Sequence, residues 1–219
     1  RKDLKKKLRK FFKKIFITND HKKLISNYDV NIIFSYFKII EKKFLQRSKF
    51  NLIPHESDLP KGRGMSPLSW QLLENKSFIT FSLLEASQKM DAGKVYYKKK
   101  VAVKKDILFD EIKNLQYIQN INLIIKFLNF LNKYKKVPKS KAQSGKPTFY
   151  RLRQKKDSKL NISKSIKSQF NLMRISDFKN YPSFFILNKK KYIIKIFKEK
   201  KWNISFYQKN NGIKKIIIF

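Results

Sequence analysis

Cysteine is absent from the 219 residues, which excludes disulfides, thiolate metal sites and a cysteine nucleophile within this chain. Histidine occurs only twice, so a multi-histidine metal centre is excluded as well. No apolar run approaches the ~18 residues of a membrane-spanning helix. The chain opens on Arg1 without the basic, apolar and small-residue succession of a secretory leader, and its true start is expected to be missing. Acidic residues are scarce: 15 Asp and Glu stand against 53 Lys and Arg, a formal charge of +38.

Such a charge points toward nucleic acid or an anionic surface. Two features weigh against that. The cations are mostly lysines spread along the whole length; arginine occurs only at Arg1, Arg9, Arg47, Arg63, Arg151, Arg153 and Arg174. Arginine is the residue suited to bidentate reading of phosphate and guanine. Lysine, asparagine, isoleucine and phenylalanine are abundant together, the profile of an AT-rich coding sequence. Most lysines are therefore expected on a solvated face, with polyanion attraction a side effect screened beyond ~8 Å in cell-like salt.

A core is well supplied. Hydrophobic residues make up 42% of the chain and aromatics 15%, too many for disorder by low hydrophobicity. The length suits one domain, or one with an appended subdomain. A chain of this size buries about 70% of its unfolded surface.

The periodicity predicts an amphipathic helix over Leu4–Ile15, with a basic membrane-surface helix as the alternative. A short strand at Phe16-Ile17 and a short helix over His21–Ser26 capped by Asp20 follow. Val30–Tyr36 reads as a strand covered on both faces. Glu41–Gln46 reads as a short helix and Phe50–Pro54 as a strand. The polar loop Glu56–Ser66 holds Pro60, Gly62 and Gly64. Pro67–Leu73 fits a helix with Ser66 as its cap. Phe78–Leu84 is a strand and Lys94–Val103 a more exposed one. Ile107–Tyr134 is helical, expected as two segments. Lys135–Pro147 reads as a linker. A helix over Ser163–Arg174 is followed by strands at Tyr181–Leu187, Lys191–Phe197, Trp202–Tyr207 and Ile213–Phe219, with a turn at Lys209–Gly212. The front of the chain is thus α/β and its tail mostly β.

Singly, the polar residues are weak signals. His55 follows a strand and precedes a Gly/Pro loop, where sites sit in open α/β sheets, but backbone could equally satisfy it. Asp91 in Met-Asp-Ala-Gly also suits a turn. The Lys-Gly-Arg-Gly run could cradle phosphate, though one Gly-x-Gly is too common to decide. Trp70 is expected in the core.

Together they are more specific. Asn51–Pro67, NLIPHESDLPKGRGMSP, resembles the signature of the folate-dependent formyltransferases, the family that includes methionyl-tRNA formyltransferase. His55, Ser57, Leu59, Pro60, Arg63, Gly64 and Pro67 fall at the signature positions. Met90–Gly93 resembles the family's Leu-Asp-Thr/Ala-Gly motif, and the 36-residue separation of His55 and Asp91 fits. Ile33–Ile40 is similar to the strand and turn that form one wall of the folate pocket. Phe149–Ser158, Ser163–Arg174 and Tyr181–Phe185 resemble the region after the catalytic core in the branch acting on nucleotide-linked amino sugars. The likeness covers most of residues 5–197.

The resemblance implies an α/β, Rossmann-like formyltransferase core over 1–135 whose first strand is missing. A linker over 136–148 and a small, mostly-β C-terminal subdomain over 149–219 would follow. It implies a cytoplasmic, one-carbon-transferring enzyme. The formyl group of 10-formyltetrahydrofolate would pass to a nucleotide-linked amino sugar destined for a surface glycan such as lipopolysaccharide O-antigen. His55 would stabilise the oxyanion, and Asp91 would orient His55 and help remove the amine proton. The family's Asn two residues before the histidine is replaced by Ile53, so Asn51 is the candidate for that amide. The pterin would lie between Phe37, Lys38 and Ile40 and the segment ending at Met90 and Asp91. Leu59, Pro60, Arg63 and Gly64 would flank the cleft, and Arg151 and Arg153 would meet the acceptor's phosphates or belong to the basic surface. No metal is implied, and a homodimer is admissible. Three alternatives stay open: an enzyme acting on initiator methionyl-tRNA, a degenerate non-catalytic member of the fold, and a basic nucleic-acid-binding protein.

Overall fold

The computed structural model describes residues 2–199. The strands expected at Trp202–Tyr207 and Ile213–Phe219 lie outside the described residues. The centre is a four-stranded sheet of β1 (Tyr28–Ile32), β2 (Ser48–His55), β4 (Phe78–Glu85) and β5 (Val95–Ala102), in the order β1-β2-β4-β5. β1 runs parallel to β2, with Asn31 opposite Asn51, whereas β2–β4 and β4–β5 are antiparallel. This is the expected α/β class.

Alternation along β2 decides what faces what. Phe50 and Leu52 turn toward the long helix α4 (Phe109–Tyr134), where Phe127 is fully buried. The Phe127 ring packs edge-on against Phe50 at 5.5 Å and Tyr96 at 4.8 Å between centroids. Ile79, Phe81 and Leu83 of β4 join the same core. Asn51, Ile53 and His55 take the other face of β2, where Ile53 packs with Leu59, Leu84 and Val95. β2 therefore delivers one histidine, at its C-terminal end, to the face opposite α4.

Several elements differ from expectation. Helix α1 spans only Lys2–Leu8, although Phe11, Phe12 and Ile15 still pack on the core. Like charges at helical spacing, Lys5 with Arg9 and Lys6 with Lys10, oppose its extension. No strand forms at Phe16-Ile17, and Phe16 is exposed. His21–Lys23 is a single 3-10 turn capped by Asp20, whose carboxylate accepts from Lys22 N at 3.1 Å. β1 ends at Ile32, and residues 33–40 form an irregular wall beyond it. α2 covers Lys42–Leu45. Ser66 has left-handed backbone (φ 55°) and makes no capping bond to α3 (Pro67–Leu73). α4 is one helix of 26 residues, not two, because its stripe of Ile112, Asn120, Ile124 and Phe127 runs unbroken. At its start Leu108 N donates to Glu111 Oε2 at 2.9 Å.

The stretch 136–148 lacks helix and strand but is not free. Val95 and Lys141 exchange backbone bonds, and Thr148 Oγ1 accepts from Gly62 N at 2.8 Å. β6 (Phe149–Tyr150) then pairs in parallel with β3 (Arg63–Gly64). Beyond it come α5 (Ile166–Arg174) and a hairpin of β7 (Ser183–Leu187) and β8 (Lys190–Ile194). The described part of the tail thus holds one α-helix, α5, between β6 and the β7–β8 hairpin.

Candidate active site

A cavity of about 300 Å³ opens at the C-terminal end of β2. That is the lower end of the range for small-molecule sites. One wall is the 33–40 segment, and Ala86–Asp91 forms another. His55 and Glu56 stand at the strand end, Gly64–Ser69 line a third side, and Ile112, Gln116 and Asn120 of α4 a fourth.

His55 and Asp91 meet there despite their separation in sequence. His55 Nδ1 lies 3.7 Å from Asp91 Oδ2, with side-chain exposures of 7% and 12%. That exceeds hydrogen-bond length, so the two side chains face each other without a bond in a shielded site. The other ring nitrogen, Nε2, is 2.9 Å from Gly62 O, so backbone fixes the ring. Nε2 is the donor to that carbonyl, which leaves Nδ1 facing the carboxylate. Asp91 sits in a turn with φ 48°, and its Oδ2 accepts from Gly64 N at 2.8 Å. Gly64 cannot carry a side chain: its φ is 98°, and a Cβ would lie 2.3 Å from Tyr150 O. The close pairing with β6 thus aims the Gly64 N–H at Asp91.

Phe37, Lys38, Ile40 and Met90 line the cavity. Phe37, Ile39 and Met90 leave apolar surface open at the rim. Leu59, Pro60 and Arg63 do not line it. Leu59 is buried under the sheet, and Arg63 Nε and Nη2 both donate to Gln143 Oε1. The Gly62 and Gly64 N–H groups are spent on Thr148 and Asp91, so the loop is no phosphate cradle.

Asn51 does not join the site. It shares His55's face, but four residues of strand place it ~13 Å back along β2. Its amide donates to Leu45 O at 3.0 Å and its Oδ1 accepts from Asn31 Nδ2 at 3.3 Å. Arg151 and Arg153 serve the chain itself. Arg151 stacks over Trp70 at 4.7 Å and makes two bonds to Asp157, holding that carboxyl down at about 2. Arg153 is buried against Ser158, and burial lowers its pKa. Trp70 is half-buried and outside the core cluster, its Nε1 donating to Arg151 O at 2.7 Å.

Sequence reasoning missed three features. Gln143 donates to Asp91 O at 2.7 Å and Gly93 O at 2.8 Å, clamping the aspartate turn; nothing in its Ser/Gly/Lys surroundings marks it. His21 lies 2.5 Å from Tyr36 Oη and 2.7 Å from Glu41 Oε2, edge-on to Phe44, and so anchors the 33–40 wall. Glu56 and Asn120 face each other across the cavity's α4 side. The signal for Asn120 is a polar residue on the otherwise apolar buried face of α4, which continues through it.

A family model described as formyl transferase matches residues 13–127, more than half of the chain and all of the His55–Asp91 constellation. The chain belongs to the formyl transferase family. Methionyl-tRNA formyltransferase of Sulfurihydrogenibium sp. (strain YO3AOP1) is 28% identical over 149 residues, 68% of this chain and 48% of that protein. The chain spans about half the length of the curated relatives it matches. Methionyl-tRNA formyltransferase from Clostridium thermocellum superposes with a TM-score of 0.71 at 19% identity, covering 91% of this chain and 87% of that one. A 4-N formyltransferase from Francisella tularensis gives 0.66 at 16% identity, covering 91% and 83%. These two share the fold. In this member of the family, Ile53 stands on the histidine's face at the place of the family's asparagine, packed against Leu59, Leu84 and Val95.

Proposed function

We propose that this chain transfers the formyl group of 10-formyltetrahydrofolate to a primary amine on a nucleotide-linked amino sugar. The carrying observation is the His55–Asp91 pair, brought to one cavity from 36 positions apart. The donor would lie between the 33–40 wall and Ala86–Asp91, where apolar side chains and backbone suit a flat heterocycle. The residues fit that group in kind: Phe37, Ile39 and Met90 offer unpartnered apolar surface at the rim.

The amine nitrogen attacks the formyl carbon, the carbon–N10 bond breaks, and N10 takes a proton. An acceptor that enters as an ammonium loses one proton to solvent before the attack, and the proton that N10 receives is the second one from the same nitrogen. His55, charged when both ring nitrogens are protonated, stabilises the developing oxyanion. Asp91 faces the ring across 3.7 Å and is itself held by Gly64 N and the Gln143 clamp. No covalent enzyme intermediate is required. Without an amide at position 53, His55 carries more of the oxyanion stabilisation.

The likeness of residues 149–185 to the amino-sugar branch supports the sugar acceptor, with a surface-glycan precursor made in the cytoplasm as the product. The second reading is methionyl-tRNA, favoured by the names of the sequence relatives and by the charge of +38. The test incubates the protein with 10-formyltetrahydrofolate and each acceptor class, reading tetrahydrofolate release and the acceptor's mass gain. Sugar formylation supports the first reading and transfer only to tRNA the second. No transfer to either rejects both.

A further inference from the structure

Two carboxylates line the cavity, and the chemistry above uses only Asp91. The other, Glu56, directly follows His55 and turns to the opposite side of the strand end, toward α4. It is 7% exposed. Asn120 Nδ2 donates to its Oε1 at 2.7 Å, and Gln71 Nε2 holds its main-chain oxygen. Among the described residues no lysine or arginine pairs with it, and its Oε2 receives no donor, in a chain with 53 basic residues. Asn120 is 5% exposed, and its Oδ1 is buried with no partner. The α4 side of the cavity thus presents one unanswered acceptor, Glu56 Oε2, on a carboxyl group braced by Asn120.

A buried carboxylate held by a single neutral donor is costly unless a cation completes it. An anion is repelled there, and a neutral ligand leaves the charge unbalanced. An ammonium supplies both the charge and several donors. The two ends of the cavity differ accordingly: apolar side chains and backbone at 33–40 and 86–91, and Glu56, Gln116 and Asn120 at α4. His55 stands between them.

We propose that Glu56, held by Asn120, is the binding site for the acceptor's ammonium group. Glu56 Oε2 takes the charge, and once the ammonium has lost one proton to solvent the free amine nitrogen faces, from the α4 side, a formyl group held at His55. This rests on the formyl-transfer reading.

Glu56→Gln keeps an acceptor for Asn120 and removes the charge. Wild type and variant are titrated, with tetrahydrofolate present, against two pairs of probes. One pair is a UDP-linked 4-amino sugar and its 4-hydroxy counterpart; the other is methionyl-tRNA and its N-acetylated form. Wild type should prefer the amine by about ten- to hundredfold in the pair it binds. Glu56→Gln should lose that preference with tetrahydrofolate affinity unchanged, a split that a purely structural role does not produce. The preference of unaltered protein should also fade as pH rises past the amine's own pKa, which needs no variant to fold. Wild type that binds neither pair or ignores the amine, or a folded Glu56→Gln that keeps the preference, overturns the proposal. An intact amine preference without formyl transfer sinks the reaction and leaves the ammonium site standing.

Discussion

Replacing Gly93 by alanine tests how the aspartate is positioned. A Cβ at Gly93 would lie 1.7 Å from Glu85 O and 2.8 Å from its carbonyl carbon. Both atoms are backbone, so no side chain can swing aside. Glu85 cannot yield cheaply: its N–H bonds Lys94 O, the next N–H bonds Asn51 O, and its side chain accepts from Asn51 N. The 90–93 turn must therefore retreat by more than an ångström. That turn carries Asp91, which holds Gly64 N at 2.8 Å and faces His55 at 3.7 Å, and Gln143 pins it from the other side. Overpacking of this kind costs about 1–3 kcal/mol. Misplacing a catalytic group by an ångström costs about a hundredfold in rate. Gly93→Ala should fold with a lowered melting temperature and lose formyl transfer about a hundredfold. Circular-dichroism melts and a tetrahydrofolate-release assay read the two effects. A Gly93→Ala protein with wild-type turnover and melting temperature would refute the packing argument.

Tyr36→Phe removes the hydroxyl joining the 33–40 wall to His21; it should weaken folate binding about fivefold by fluorescence titration while barely moving the melting temperature. Phe127→Ala empties the space between Phe50 and Tyr96 and should cost about 3–5 kcal/mol by denaturant titration. Burial raises the Glu85 carboxyl above its ordinary 4.5. A raised carboxyl contributes stability in full below about 4.5 and loses it as pH climbs through the raised value. Glu85→Gln, which still accepts from Asn51 N, should therefore melt higher than wild type at neutral pH and at the same temperature near pH 4.

The sequence was most legible where geometry and chemistry coincide in a short span. From Asn51 to Pro67 a strand, a glycine loop and a helix follow one another, so residue order alone locates His55, Gly64 and the start of α3. The sheet strands were legible because period-two burial shows in the letters. Side-chain destinations were not. Asn51 lies on the histidine's face, but only the rise along β2 reveals that it falls short of the site. Arg151 and Arg153 look like free phosphate ligands until Asp157 and Ser158 are seen beside them. Gln143 reaches Asp91 and Gly93 across about fifty residues, a pairing no local pattern encodes. Capping inferred from composition held at Asp20 but not at Ser66, a favoured cap residue whose left-handed backbone makes no capping bond.

The central claim is that His55 and Asp91 act as one unit on a formyl group. The direct measurement is single-turnover formyl transfer from 10-formyltetrahydrofolate by wild type, His55→Ala, Asp91→Asn and the double variant, each checked for folate binding. Residues acting together are strongly non-additive. The double variant should be little slower than His55→Ala alone, with folate still bound by all four proteins. Transfer by His55→Ala at the wild-type rate, or single losses that multiply in the double variant, would contradict the account.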